Sequence, residues 1–251
     1  MPRPLINRLF SIIGNPLAQS YSKTYWNEKF AERKMTDCLY EARELKSIQD
    51  FIPYLDSKPN LRGLSVTIPF KEVIIPLLDE VDPVAQEIGA VNLVKIEKRE
   101  GGRILKGFNT DWVGFTESLK PLLKPCHKKA LLLGTGGASK AVIYSLNKLG
   151  IEVTQVSRSK PGTIRYEDID EKVMSEHLLV INATPVGSFP AVNKCPDVPY
   201  QCFTPEHIAF DLIYNPIRTL FLQQAELKGA TIKNGWEMFT GQAAEAWRIL
   251  I

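Results

Sequence analysis

Leu131-Leu-Leu-Gly134-Thr-Gly136-Gly137-Ala138-Ser139-Lys140-Ala141 is the stretch that decides the fold. An apolar run reaches a glycine-rich turn, and the turn opens into helix-forming sequence. Dinucleotide-binding sheets use this order of strand, turn and helix. Gly134 permits the tight turn, and Gly136 lets the backbone approach a pyrophosphate. Gly137 and Ala138 begin a helix whose free N–H groups and positive dipole end favour an anion. Ser139 stands where the third glycine of the pattern usually falls, so the turn is a variant.

Outward from this turn the pattern keeps alternating. Strands are expected over 129–133, 151–157, 177–181, 208–213 and 231–233, and helices over 137–149, 219–228 and 236–250. Such alternation implies a parallel, doubly wound sheet. The second strand ends Val156-Ser157-Arg158-Ser159-Lys160. An Asp or Glu usually stands here to bind the ribose hydroxyls of NAD, and it would repel a 2′-phosphate. A hydroxyl and an arginine fork suit that phosphate, so NADP is favoured. Asn182-Ala-Thr184-Pro-Val-Gly187, at the end of a later strand, is where a nicotinamide ribose could lie, although alone it is only a turn.

Upstream, strands are expected over 9–13, 38–42, 63–67, 90–97 and 103–106, the last two flanking a Glu100-Gly-Gly hairpin. Helices are expected over 22–33, 44–55 and 70–78. The fold class is therefore α/β with two domains. Residues 1–110 plus 235–251 form an N-terminal α/β substrate domain to which the last helix returns. Residues 111–234 form a C-terminal Rossmann-like NADP-binding domain.

The 251 residues carry a formal charge of only +3, too little and too scattered to argue for nucleic acid. No apolar stretch is long enough to span a bilayer, and the start lacks a signal-peptide core. Four scattered cysteines offer no CxxC pair and no zinc-ligand spacing, so no metal is expected and a cytoplasmic setting is. A monomer or a homodimer is expected.

Chemistry-bearing residues cluster in the first half. Lys71, after Ser65-Val-Thr67-Ile-Pro69-Phe, is expected in the first turn of a helix, where the macrodipole disfavours a cation. A solvated surface lysine is the plain alternative. Asp111, in Asn109-Thr-Asp111, is either an ordinary N-cap or a partner for Lys71. Ser20 and Ser22 either cap the first helix or hold a substrate carboxylate. Asn92 and Gln242 would add neutral donors and acceptors suited to a polyol.

Taken together the motifs resemble the shikimate dehydrogenase family. Gly14-Asn-Pro-Leu-Ala-Gln-Ser20-Tyr-Ser22 is similar to its substrate-carboxylate motif, and Ser-Val-Thr67-Ile-Pro-Phe-Lys71 to its catalytic lysine segment. Gly89-Ala-Val-Asn92, Asn109-Thr-Asp111-Trp-Val-Gly114, Gly134-Thr-Gly-Gly-Ala138, Ser157-Arg158 and Asn182-Ala-Thr184-Pro-Val-Gly187 follow in order. Asp211-Leu-Ile-Tyr214-Asn-Pro and Gly235-Trp-Glu-Met238-Phe-Thr-Gly-Gln242 close the set. The ordered set is specific, whereas no single member is.

The resemblance implies NADPH-dependent, reversible reduction of 3-dehydroshikimate to shikimate, a step toward aromatic amino acids. It implies Lys71 as general acid/base with Asp111. Ser20, Ser22, Thr67, Asn92, Tyr214 and Gln242 would bind substrate. The cofactor would meet Gly134, Gly136, Gly137, Ala138, Ser157, Arg158, Thr184, Leu212, Gly235 and Met238. The sequence departs from the family at Gln19, Lys23-Thr24, Ser65 and Ser157, where it more often has His, Pro-x-x-His, Asn and Asn. The alternatives are a quinate/shikimate enzyme with broader substrate or NAD use, a methylenetetrahydrofolate dehydrogenase-like protein, and a non-catalytic NADP-binding regulator.

Overall fold

The structure, a computed structural model, describes residues 5–17 and 21–251. The chain forms two compact units, Met1–Thr110 with Ala246–Ile251, and Asp111–Glu245. The helical return to the first unit therefore begins at residue 246, later than the 235 expected from sequence.

The first unit contains β1 (Arg8–Gly14), α1 (Ser22–Glu32), β2 (Cys38–Glu44), α2 (Phe51–Asp56), β3 (Leu61–Val66), β4 (Glu80–Val81), α3 (Pro83–Ile88), β5 (Leu93–Arg99) and β6 (Gly102–Phe108). Its sheet runs β2-β1-β3-β5-β6-β4. β1 pairs parallel with β2 and β3, and β5 lies antiparallel to β3 and β6. β1 is buried from Leu9 to Gly14, because helices and loops cover both faces of this central strand. Helix α1 buries Ser22, Trp26 and Phe30, which recur every four residues on one stripe. Trp26 stacks on Tyr40 at 5.4 Å and on Trp247 at 5.6 Å. These rings fasten the end of the chain to the first unit, and truncating a buried Trp of this kind costs about 3–5 kcal/mol.

Two helices expected from sequence are not formed as such. The 70–78 segment is a series of turns with a 3₁₀ stretch at Ile75–Leu77. Pro76 and the β-branched run Val73-Ile74-Ile75 disfavour a continuous α-helix there. In the 44–55 segment, β2 continues to Glu44 and α-helix begins only at Phe51, placing Pro53 in the first turn, where a missing N–H costs nothing. The structure also adds α3, which carried a legible signal. Asp82 caps it by accepting from the N–H groups of Val84 and Ala85, Pro83 opens it, and Gly89 ends it at φ +67°.

The second unit contains α4 (Asp111–Leu119), β7 (Lys129–Leu133), α5 (Gly137–Lys148), β8 (Glu152–Val156), α6 (Glu171–Glu176), β9 (Leu179–Asn182), β10 (Ile208–Asp211), α7 (Leu220–Glu226), β11 (Thr231–Lys233) and most of α8 (Trp236–Leu250). Five parallel strands run β11-β10-β9-β7-β8. The chain leaves β7 to one side for β8, then crosses back to β9 on the other. That reversal is a topological switch point, and a crevice opens at such points outside the carboxyl ends of the strands. α4 and α8 cross at glycines: a Cβ on Gly114 would overlap the Met238 carbonyl, and one on Gly241 would lie 3.0 Å from Gly114 Cα. This close crossing holds the front of α8 in the second unit. Among the described residues no helix is long and apolar enough to cross a membrane.

Candidate active site

The glycine turn sits at the switch point. Gly134 follows β7 with φ +107°, a conformation that side chains strain. A Cβ there would also lie 2.9 Å from Thr184 Cγ2, because the loop after β9 packs against the turn. Gly136 is different. Its backbone is extended, it is exposed, and a Cβ would meet nothing within 4 Å. The space above it is open toward the start of α5, whose N-cap residue, Gly136 itself, offers no side chain to the first-turn N–H groups. Gly137 and Ala138 form the first turn of that helix. Ser139 has a structural use: its buried hydroxyl donates to the Gly136 carbonyl at 2.6 Å. Gln155 Nε2 donates to the Gly134 carbonyl at 3.1 Å and so ties the turn to β8.

After β8 the Ser157 hydroxyl accepts from the N–H groups of Ser159 (3.3 Å) and Lys160 (3.0 Å). It shapes the loop that presents Arg158 and Lys160, both exposed. Asn182 and Asp211 end β9 and β10 as register partners, fully buried. Burial pushes the Asp211 carboxyl up to about 7, while hydrogen bonds from Thr219, Ile213 and Asn182 pull it back toward the charged form. Both stand within motifs of the sequence, yet no local signal marks either as functional.

Farther along, Leu212 donates its N–H to the Asn182 carbonyl at 3.0 Å. Gly235 lies so close to Leu212 that a Cβ would overlap the Leu212 carbonyl. Tyr214 packs on Phe239 at 5.1 Å and, edge-on, on Trp236 at 6.2 Å. Met238 is buried in the core with Phe115, and Gln242 is half-buried on α8.

In the first unit Ser22 is buried as the first residue of α1, preceded by Tyr21 at the cap. Ser20 and Gln19 lie outside the described residues. Thr67 follows β3, and its methyl occupies the place a Cβ on Gly14 would take. Ser65 accepts from the Tyr40 hydroxyl at 2.8 Å, which gives this departure from the family a local partner. Lys71 lies in the turns after Pro69, half-buried, with its carbonyl accepting from Val91 N–H at 2.7 Å. The helical first turn expected around it is absent, so the macrodipole reasoning has no helix to act through. Asn92 is buried and bonded to Thr110. Asp111, also buried, is the first residue of α4 rather than its cap, and a carboxylate in a first turn is favoured by the helix dipole.

A glycine turn at the switch point of a parallel sheet, followed by an arginine past the second strand, defines the class of dinucleotide-binding α/β proteins. The chain belongs to the shikimate dehydrogenase family. A family profile described as the shikimate dehydrogenase substrate binding domain matches residues 12–94. Shikimate dehydrogenase (NADP(+)) of Aquifex aeolicus is 36% identical over 96% of this chain and 90% of its own length. The structure of shikimate 5-dehydrogenase from Thermus thermophilus in complex with NADP(H) and shikimate is 34% identical, with a TM-score of 0.82 over 97% of this chain and 93% of that one. Quinate dehydrogenase from Corynebacterium glutamicum in complex with NAD is 27% identical, with a TM-score of 0.85 over 97% of this chain and 93% of that one.

Proposed function

We propose that this protein is an NADP-dependent oxidoreductase that interconverts 3-dehydroshikimate and shikimate, with Lys71 and Asp111 managing the proton. The observation that carries the reading is the relative named shikimate dehydrogenase (NADP(+)) that matches 96% of the chain, joined to Arg158 beyond β8. The residues present fit the cofactor. Gly136 leaves open space at the bare N-terminus of α5, and the Ser157-capped loop presents the Arg158 fork to a 2′-phosphate.

Bound NADPH supplies a hydride to the ketone carbon. The carbonyl oxygen then needs a proton, which the Lys71 ammonium donates and, in the reverse direction, the Lys71 amine takes back. Asp111 is the second member of the couple and accepts a hydrogen bond from a neighbouring substrate hydroxyl. Ser20 and Ser22 hold the substrate carboxylate, and Thr67, Asn92, Tyr214 and Gln242 bind its remaining oxygens. The four cysteines are unpaired, which suits a reducing cytoplasm.

The test is a panel of shikimate and quinate, each with NADP and with NAD, read by the near-ultraviolet absorbance of the reduced nicotinamide. Shikimate with NADP is expected to give the highest kcat/KM. Faster turnover of quinate with NAD would favour the quinate reading. Binding of NADP without turnover of either acid would favour a regulator.

A further inference from the structure

Asp211 accepts three hydrogen bonds: the Thr219 hydroxyl donates at 2.6 Å, the Ile213 N–H at 3.0 Å and the Asn182 amide at 3.0 Å. Asn182 turns Nδ2 toward it, and the same Nδ2 reaches the Val186 carbonyl at 3.3 Å. Its Oδ1 is then committed to the other side, where it accepts from the Thr184 N–H at 3.0 Å and the Thr184 hydroxyl at 2.6 Å. The Thr184 oxygen in turn accepts from Val186 N–H at 3.2 Å. At the far end Thr219 caps α7, accepting from Leu222 N–H. Asp211, Asn182 and Thr219 are all fully buried. One polar chain thus runs along the carboxyl edge of the sheet, from the start of α7 past β10 and β9 to Thr184, which abuts the glycine turn at Gly134.

Without an acceptor at 211 the Asn182 amide keeps only the 3.3 Å bond to the Val186 carbonyl on its Nδ2 side and loses its tie to β10. The loop at 183–187 then loses the side-chain bond that ties it to β10, while the Gly136 turn and the Arg158 loop keep their own contacts.

We propose that Asp211 is a positioning residue: by anchoring the Asn182 amide to β10 it holds Thr184 and its loop in the shape that receives the nicotinamide-ribose half of the cofactor. The inference rests on the NADP reading above and concerns one half of that cofactor only.

The experiment is calorimetric titration of the wild type, Asp211→Ala, Asp211→Asn and Asn182→Ala with two probes. NADP⁺ carries both halves, and adenosine 2′,5′-bisphosphate lacks the nicotinamide ribose. Wild-type binding of both probes supports the cofactor reading, and failure to bind NADP⁺ overturns that reading and this proposal with it. Asp211→Ala and Asn182→Ala should each weaken NADP⁺ about tenfold, the scale of one or two lost hydrogen bonds, and leave the bisphosphate within about twofold. Asp211→Asn keeps an acceptor for Asn182 and should restore NADP⁺ affinity to within about threefold of wild type. Equal weakening of both probes would mean general structural damage and would overturn the proposal. So would unchanged NADP⁺ affinity in both alanine variants, or an Asn variant no better than Ala. If Asp211→Ala does not fold, Asn182→Ala carries the same split.

Discussion

The Thr110 N–H donates to Asn92 Oδ1 at 2.7 Å, and Asn92 Nδ2 donates back to the Thr110 hydroxyl at 3.0 Å. Both residues are buried, and Thr110 is the last residue before Asp111 and α4. Asn92 therefore fixes the backbone from which the Asp111 side chain departs, in addition to any contact it makes with substrate.

Asn92→Ala should accordingly destabilise the fold as well as impair turnover. It strands a buried N–H, which costs about 1–3 kcal/mol. Thr110→Val keeps the backbone bond and should cost less. Urea unfolding of both variants checks the order. An Asn92→Ala variant as stable as wild type would leave Asn92 with a substrate role alone.

The glycines separate by what surrounds them. Gly136→Ala meets no neighbour and has an allowed backbone, so stability should stay within about 0.5 kcal/mol while KM for NADP⁺ rises about tenfold or more. Gly235→Ala collides with the Leu212 carbonyl and should lower the thermal midpoint sharply. Thermal melts and cofactor kinetics on the pair distinguish a binding glycine from a packing one.

Arg158 is exposed on the loop that Ser157 caps. Removing its fork should cost the 2′-phosphate a charge-assisted bond. Arg158→Ala is expected to raise KM for NADPH about tenfold or more and to change KM for NADH less than about twofold. Parallel initial-rate measurements decide, and equal changes would remove the argument for NADP selectivity.

Stability should decline in mild acid because of His207. Its ring is buried, accepts the Thr204 N–H at Nδ1 (3.0 Å) and approaches the Met174 carbonyl through Nε2 (3.1 Å). That environment holds a neutral imidazole, and burial lowers its pKa from the ordinary 6.5. The unfolded chain takes up a proton near 6.5 that the folded chain refuses. The stabilisation is thus complete above about pH 6.5 and is lost as pH falls through the depressed folded value. Urea midpoints between about pH 8 and 5 should fall for wild type and fall less for His207→Asn.

Much of this was legible in sequence because the signals were local. A buried apolar run, three glycines and a helical period define β7, its turn and α5 without reference to anything distant. The 70–78 segment was not legible in the same way. Its apolar spacing resembled a helix, but Pro76 and the adjacent β-branched residues outweighed the spacing. The polar chain through Asp211, Asn182 and Thr184 was beyond reach for another reason. Residues 211 and 182 meet only when β9 and β10 pair, and no local pattern announces strand order. The described site residues named from the family lie on strand ends, loops and helix starts, with Met238 and Gln242 farther along α8.

The most direct measurement is turnover of shikimate with NADP⁺ by Lys71→Ala, with KM for shikimate taken from the same traces. If Lys71 carries the proton, kcat should fall by about 10²–10⁴ while KM for shikimate changes little. Near-normal kcat in a folded variant would contradict the assignment and return Lys71 to the status of a surface lysine.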